Sequence, residues 1–165
     1  MSILFTNARL IDPEAGTDTL GAVLVRDGLI HKIHTNPYPT RVAVGTEEID
    51  CNGHCLAPGI VDIGVKICEP GERHKESYRT AGLAAARGGV TTIVTRPDTV
   101  PTVDSPEILE FVTRRAQEST PVNIRPMAAL TKGRDGREMV EIGFLSDAGA
   151  VAFSDCDHVV TSPKV

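Results

Sequence analysis

From Ala57-Pro58-Gly59 onward the chain alternates short apolar runs with amphipathic stretches, and that rhythm limits its possible folds more than any single motif. Ile60-Val61-Asp62-Ile63-Gly64-Val65-Lys66-Ile67 reads as a strand. Glu76 to Arg87 reads as a helix stopped by Gly88-Gly89. Val90-Thr91-Thr92-Ile93-Val94-Thr95 reads as a second strand. Asp104-Ser105-Pro106-Glu107 then supplies an N-cap, a proline for the first turn and a glutamate three residues after Asp104. The helix behind it carries Ile108, Val112 and Ala116 on one face. Val122 to Met127 is expected to be a third strand, about Gly136 to Asp147 a third helix, and Ala150-Val151-Ala152-Phe153 a fourth strand. Strands alternating with helices imply an α/β fold with a parallel sheet and right-handed crossovers. Four such units make an open sheet or half of an eightfold barrel. A complete (β/α)8 TIM-type barrel needs about 250 residues and the chain has 165. Such a chain continues in another polypeptide, pairs with itself or is a fragment of something longer, and the fragment is the expectation for residues 58–165.

Residues 1–57 follow another period. Ile3-Leu4-Phe5, Ala22-Val23-Leu24-Val25 and Leu29-Ile30-His31-Lys32-Ile33 read as strands. Asp27-Gly28 between the last two is the dipeptide that a tight type I′ hairpin wants. This is expected to be a small β-sandwich module whose edges need further strands. The chain is 41% hydrophobic without tryptophan, so its core must be built from Val, Ile, Leu and Ala, which suits buried parallel strands. The net charge of −5, with scattered Lys and Arg, offers no surface for nucleic acid. No stretch has the length of a membrane span, and Met1 to Phe5 lacks the basic flank of a signal peptide, so a cytoplasmic protein is expected. The four cysteines are then free thiols. Cys51, His54 and Cys55 match no common zinc spacing, and the cysteines are expected to be small buried thiols.

Several segments, in order, resemble one family. Leu56-Ala57-Pro58-Gly59-Ile60-Val61-Asp62 is similar to the start of the first barrel strand in amidohydrolases. Glu69-Pro70-Gly71-Glu72-Arg73-His74-Lys75-Glu76 resembles the loop after that strand in class I dihydroorotases. Ala84-Ala85-Ala86-Arg87-Gly88-Gly89-Val90-Thr91-Thr92, Ala129-Leu130-Thr131-Lys132-Gly133 and Ala148 to Asp155 match as well. The resemblance implies that residues 58–165 are the first four βα units of an incomplete amidohydrolase-like barrel, and that the activity is zinc-dependent hydrolysis and closure of the dihydroorotate ring, a step of pyrimidine synthesis. It also implies a His-x-His pair on the first strand, because side chains two apart on a strand point the same way.

Here the pair is Gly64 and Lys66. Glycine has no ligand atom, and a lysine ammonium is a donor that repels a divalent ion. The family's substrate-gripping arginine is replaced by Cys68, which removes a charge-assisted fork. The family's Met-Pro-Asn-Thr is Arg96-Pro97-Asp98-Thr99 here, and an Asp98 carboxylate facing an anionic substrate would repel it. The aspartate that bridges the metals in the family persists as Asp155, which can also be an ordinary polar residue ending a strand. His74 and His158 read as loop histidines.

Three losses with different chemical jobs point to a pseudoenzyme, with no catalytic residue, no metal and no cofactor expected. The resemblance then implies a non-catalytic dihydroorotase-like protein that assembles with aspartate transcarbamoylase as a homo- or hetero-oligomer. Two alternatives stand beside it. One is an active zinc-dependent dihydroorotase with an atypical metal site drawn from Cys68, His74, Asp98, Asp155 and Cys156. The other is a free-standing half-barrel with a binding role.

Overall fold

The computed structural model describes residues 1–39 and 43–164. Thr40, Arg41, Val42 and Val165, which the two expected domains include, lie outside the described residues. The chain divides into two compact units, Met1–Pro58 and Gly59–Val165.

The first unit holds strands β1 (Ser2–Asp12), β2 (Thr17–Arg26), β3 (Leu29–His34), β4 (Glu47–Asp50) and β5 (Cys55–Leu56). They form one sheet in the order β3-β2-β1-β4, with β5 also paired to β1. The β1–β2 and β2–β3 pairs are antiparallel, while β4 and β5 run parallel to β1. Arg26 pairs with Leu29, so the hairpin loop is Asp27-Gly28, and both have positive φ (49° and 79°), as a type I′ turn requires. Leu4, Ala22 and Leu24 are buried together on one face. Phe5, Leu10, Val23, Val25, Ile30 and Ile33 border an apolar groove of about 350 Å³. Among the described residues this unit is a single layer of the expected sandwich.

The second unit runs β6 (Ile60–Val65), α1 (Tyr78–Arg87), β7 (Val90–Thr95), α2 (Pro106–Ser119), β8 (Asn123–Pro126), a 3₁₀ turn (Lys132–Arg134) and α3 (Ile142–Asp147). Its sheet is parallel, in the order β6-β7-β8. The helix α2 buries Leu109, Val112 and Ala116, one stripe at spacings of three and four. These residues pack with Ile67, Tyr78, Ile93, Val103 and Leu145 into the unit's core. No helix among the described residues is long and apolar enough to cross a membrane.

Four expectations change. The first helix starts at Tyr78, because Ser77 caps it: the Thr80 amide donates to Ser77 Oγ (3.2 Å) and the Ser77 amide to Thr80 Oγ1 (3.1 Å). Asp104 does not cap α2; its Oδ2 accepts instead from the Gly133 amide at 2.8 Å, leaving Ser105 at the N-cap without a side-chain bond. The third helix shrinks to Ile142–Asp147, because Gly136 takes φ 74° and Met139 pairs with Thr131. The fourth strand reduces to one bridge, Ala128 with Phe153. Pro126 ends β8 and has no N–H with which to extend that ladder.

Candidate functional site

In a parallel sheet all strands finish on one side, and the loops that follow them build any site there. Lys66 follows β6, Arg96 and Asp98 follow β7, and residues 154–158 follow the Phe153 bridge. The cleft at these ends has a volume of about 420 Å³ and is lined by Gly64, Arg96, Met127, Phe153, Ser154, Cys156 and Asp157.

The expected first strand to Ile67 ends at Val65, and its register slips between Ile63 and Val65. Gly64, at the slip, has φ +88°, a conformation that costs a side-chain-bearing residue strain. Any residue replacing Gly64 meets backbone strain before it meets a metal.

Lys66 carries the next change. Its Nζ lies 3.0 Å from Asp98 Oδ2, and the Asp98 side chain is 3% exposed. The same oxygen accepts from an Arg96 guanidinium nitrogen at 2.9 Å. That nitrogen also reaches Asp157 Oδ1 at 3.0 Å, and Arg134 donates to this Asp157 oxygen at 3.0 Å. Five charged side chains thus form one connected chain across the strand ends. The hydrogen bond and charge of Asp98 hold the Lys66 ammonium above the usual lysine range, so it keeps its proton and cannot act as a neutral amine ligand. Asp98 was expected to oppose an anion in the cleft. It is instead buried against two cations, with Oδ1 and the Arg96 Nε left without hydrogen-bond partners.

Asp155 is 5% exposed, and both its oxygens are committed. Oδ1 accepts from the amides of Leu130 (2.9 Å) and Thr131 (3.0 Å), and Oδ2 from the Thr131 hydroxyl (2.6 Å). It anchors the loop after β8. The zinc ion that the resemblance implies does not fit these donors: position 64 has no ligand atom, Lys66 is a held cation, and Asp155 is used internally. The alternative set of Cys68, His74, Asp98, Asp155 and Cys156 is not brought together either. Among the described residues no three His, Cys, Asp or Glu side chains converge on one point. His74 is exposed, Cys68 and Cys156 are half-buried, and His158 directs Nδ1 at the Arg134 carbonyl at 2.7 Å. His54 similarly sits on the Cys51 carbonyl (2.7 Å), and all four cysteines are free, with Cys51 half-buried and Cys55 exposed where buried thiols are expected.

Arg96, Arg134 and Asp157 are the members of this network that sequence reading passed over. A signal existed: Lys66, Arg96 and Asp98 all stand at positions where the resembled pattern carries other residues, and they supply charges of opposite sign at the ends of two predicted strands.

Comparison with known proteins places the chain in one family and one fold. The family described as dihydro-orotase-like matches residues 53–165. A dihydroorotase from Anaplasma phagocytophilum (strain HZ) is 42% identical over 156 residues, covering 93% of this chain and 34% of its own length. A dihydroorotase from Bacillus cytotoxicus (strain DSM 22905 / CIP 110041 / 391-98 / NVH 391-98) is 44% identical over 155 residues, covering 94% and 35%. The solved L-hydantoinase (dihydropyrimidinase) from Arthrobacter aurescens superposes with a TM-score of 0.77 at 25% identity, over 92% of this chain and 32% of that one. The chain spans about a third of the length of the curated relatives it matches. Its α/β architecture is part of the amidohydrolase TIM-barrel fold, and the chain belongs to the dihydroorotase-like family.

Proposed function

We propose that this chain is the N-terminal part of a dihydroorotase-like protein that does not hydrolyse the ring amide and serves instead as a cytoplasmic structural partner of aspartate transcarbamoylase. The observation that carries the proposal is the ammonium of Lys66, 3.0 Å from the buried carboxylate of Asp98, with Arg96 on the same oxygen. A catalytic metal needs anionic or neutral donors at this place, and the chain supplies paired cations. Cys68 in place of an arginine adds the loss of a carboxylate grip. The parts that maintain the fold, such as the capped α1 and the apolar stripe of α2, are intact, as a scaffold requires.

The decisive experiment measures dihydroorotate turnover and bound zinc for the purified protein, host enzyme excluded, followed by co-purification with aspartate transcarbamoylase. No turnover together with a stable complex is the expected result. Absence of any complex would remove the scaffold role. The relatives at 42 and 44% identity bear the name dihydroorotase, and this favours a second reading as an active hydrolase. Turnover with stoichiometric zinc would establish that reading and overturn the first.

A further inference from the structure

We infer that this chain has exchanged a divalent cation for its own cations, so that Lys66 and Arg96, both seated on Asp98 Oδ2, cross-link the ends of β6 and β7. The inference rests on the same ion pairs that carry the proposed function, and adds that they tie the two strand ends together.

A carboxylate oxygen that serves two cations at once, at 3.0 and 2.9 Å, is a bridge. Here both cations belong to the chain, one from each strand end. The bridge lies where the backbone ladder finishes: the Arg96 amide donates to the Val65 carbonyl at 2.9 Å, next to both cations. Beyond it, Arg96 and Arg134 share Asp157, which extends the tie to the 3₁₀ turn. Three cations and two carboxylates leave the network with one net positive charge (3 − 2 = +1). A divalent ion approaching the cleft meets repulsion from that charge and finds the Asp98 oxygen already shared. The tie is also self-enforcing. Asp98 is 3% exposed, and a buried carboxylate stripped of its partners is a large penalty on the folded state. The strand ends are thus held by fixed charges that neither dissociate nor respond to a chelator.

The test compares thermal midpoints of the protein and its Lys66→Met, Asp98→Asn and double variants, each alone, with chelator and with added zinc. The parent midpoint is expected to ignore both additions. Each single variant is expected to lower it by about 3 °C or more, and the double variant to lose clearly less than the two losses summed. Additive losses without a zinc response would overturn the cross-link, whereas the proposed function fails separately, on turnover or on the absence of a complex. A zinc-raised parent midpoint would overturn the exchange of cations, and zinc-dependent turnover alongside it would overturn the proposed function too. If Asp98→Asn does not fold, Lys66→Gln with hydrogen exchange at the Arg96 amide answers the same question. Faster exchange there than in the parent supports the cross-link, and unchanged exchange overturns it.

Discussion

Replacing Asp155 by alanine separates a structural aspartate from a metal ligand. The carboxylate is 5% exposed and accepts three hydrogen bonds, two from the backbone of Leu130 and Thr131 and one from the Thr131 hydroxyl. Thr131 is fully buried, so water cannot replace what is lost there, whereas the half-buried Leu130 amide can be partly rehydrated. A hydrogen bond to a charged group contributes about 1.5–3 kcal/mol, and a buried donor left alone costs a similar amount. Because the three bonds share one loop they do not add fully, and Asp155→Ala is expected to cost about 3–5 kcal/mol. In a chain of this size each kcal/mol moves the midpoint by about 2–4 °C, giving a fall of about 10 °C. Asp155→Asn keeps one carbonyl oxygen for the two amides and should cost about 1 kcal/mol. The assay is thermal unfolding followed by the helical far-UV signal, since all the α-helices among the described residues lie in the Gly59–Val165 unit. An alanine variant melting within about 2 °C of the parent would refute the anchoring role. Loss of bound zinc with little loss of stability would restore the ligand role.

Burial opposes the ionised form of Glu69, but the hydrogen bond from Arg115 (2.9 Å), the Tyr78 amide (3.0 Å) and the Arg115 and Arg73 charges outweigh it and hold the carboxyl below the usual glutamate range. Its stabilisation is therefore complete above the unfolded value of about 4.3 and is lost as pH falls through the lower folded value. Glu69→Gln should lose about 2–3 kcal/mol at neutral pH, and urea titrations should show that gap closing below about pH 4; a gap that widens there would reverse the sign. Leu109→Ala removes a side chain with 0% exposure and should cost about 2–5 kcal/mol, checked by the shift in urea midpoint. Gly28→Ala meets no atom within 4 Å but forces φ +79° on alanine, so a loss of about 1 kcal/mol in the same assay is expected.

Much of the fold was legible because it rests on local chemistry. The Asp27-Gly28 hairpin needs only two residues that accept positive φ. The strand Val90–Thr95 and the helix beginning at Pro106 follow from apolar runs bounded by glycine and proline. The misreadings have a common cause in distant partners. Asp104 looked like a cap but bonds Gly133, 29 residues on. Residues 136–141 had enough periodicity for a helix, yet Thr131 takes up Met139 and the Gly136 amide donates to the Thr131 hydroxyl. Residues 150–153 had the composition of a strand and found only one bridge, since Pro126 cannot donate to them.

The amino-acid order by itself determined that Gly64, Lys66 and Cys68 stand where metal- and substrate-binding side chains are expected, because an element that is chemically absent cannot be restored by folding. It also determined the βα rhythm, since period and punctuation are local properties. Which charges would meet was decided by the tertiary structure alone. Lys66 and Asp98 are separated by a helix and a strand, and Arg134 and Asp157 by a turn, a short helix and a bridge. Only parallel strand ends brought to one side place them within 3.0 Å of their partners. The same packing turned Asp98 from a repelling charge into a buried bridge, and Asp155 from a ligand position into a loop anchor. Neither outcome follows from residue type, because a carboxylate's role is set by the donors that surround it.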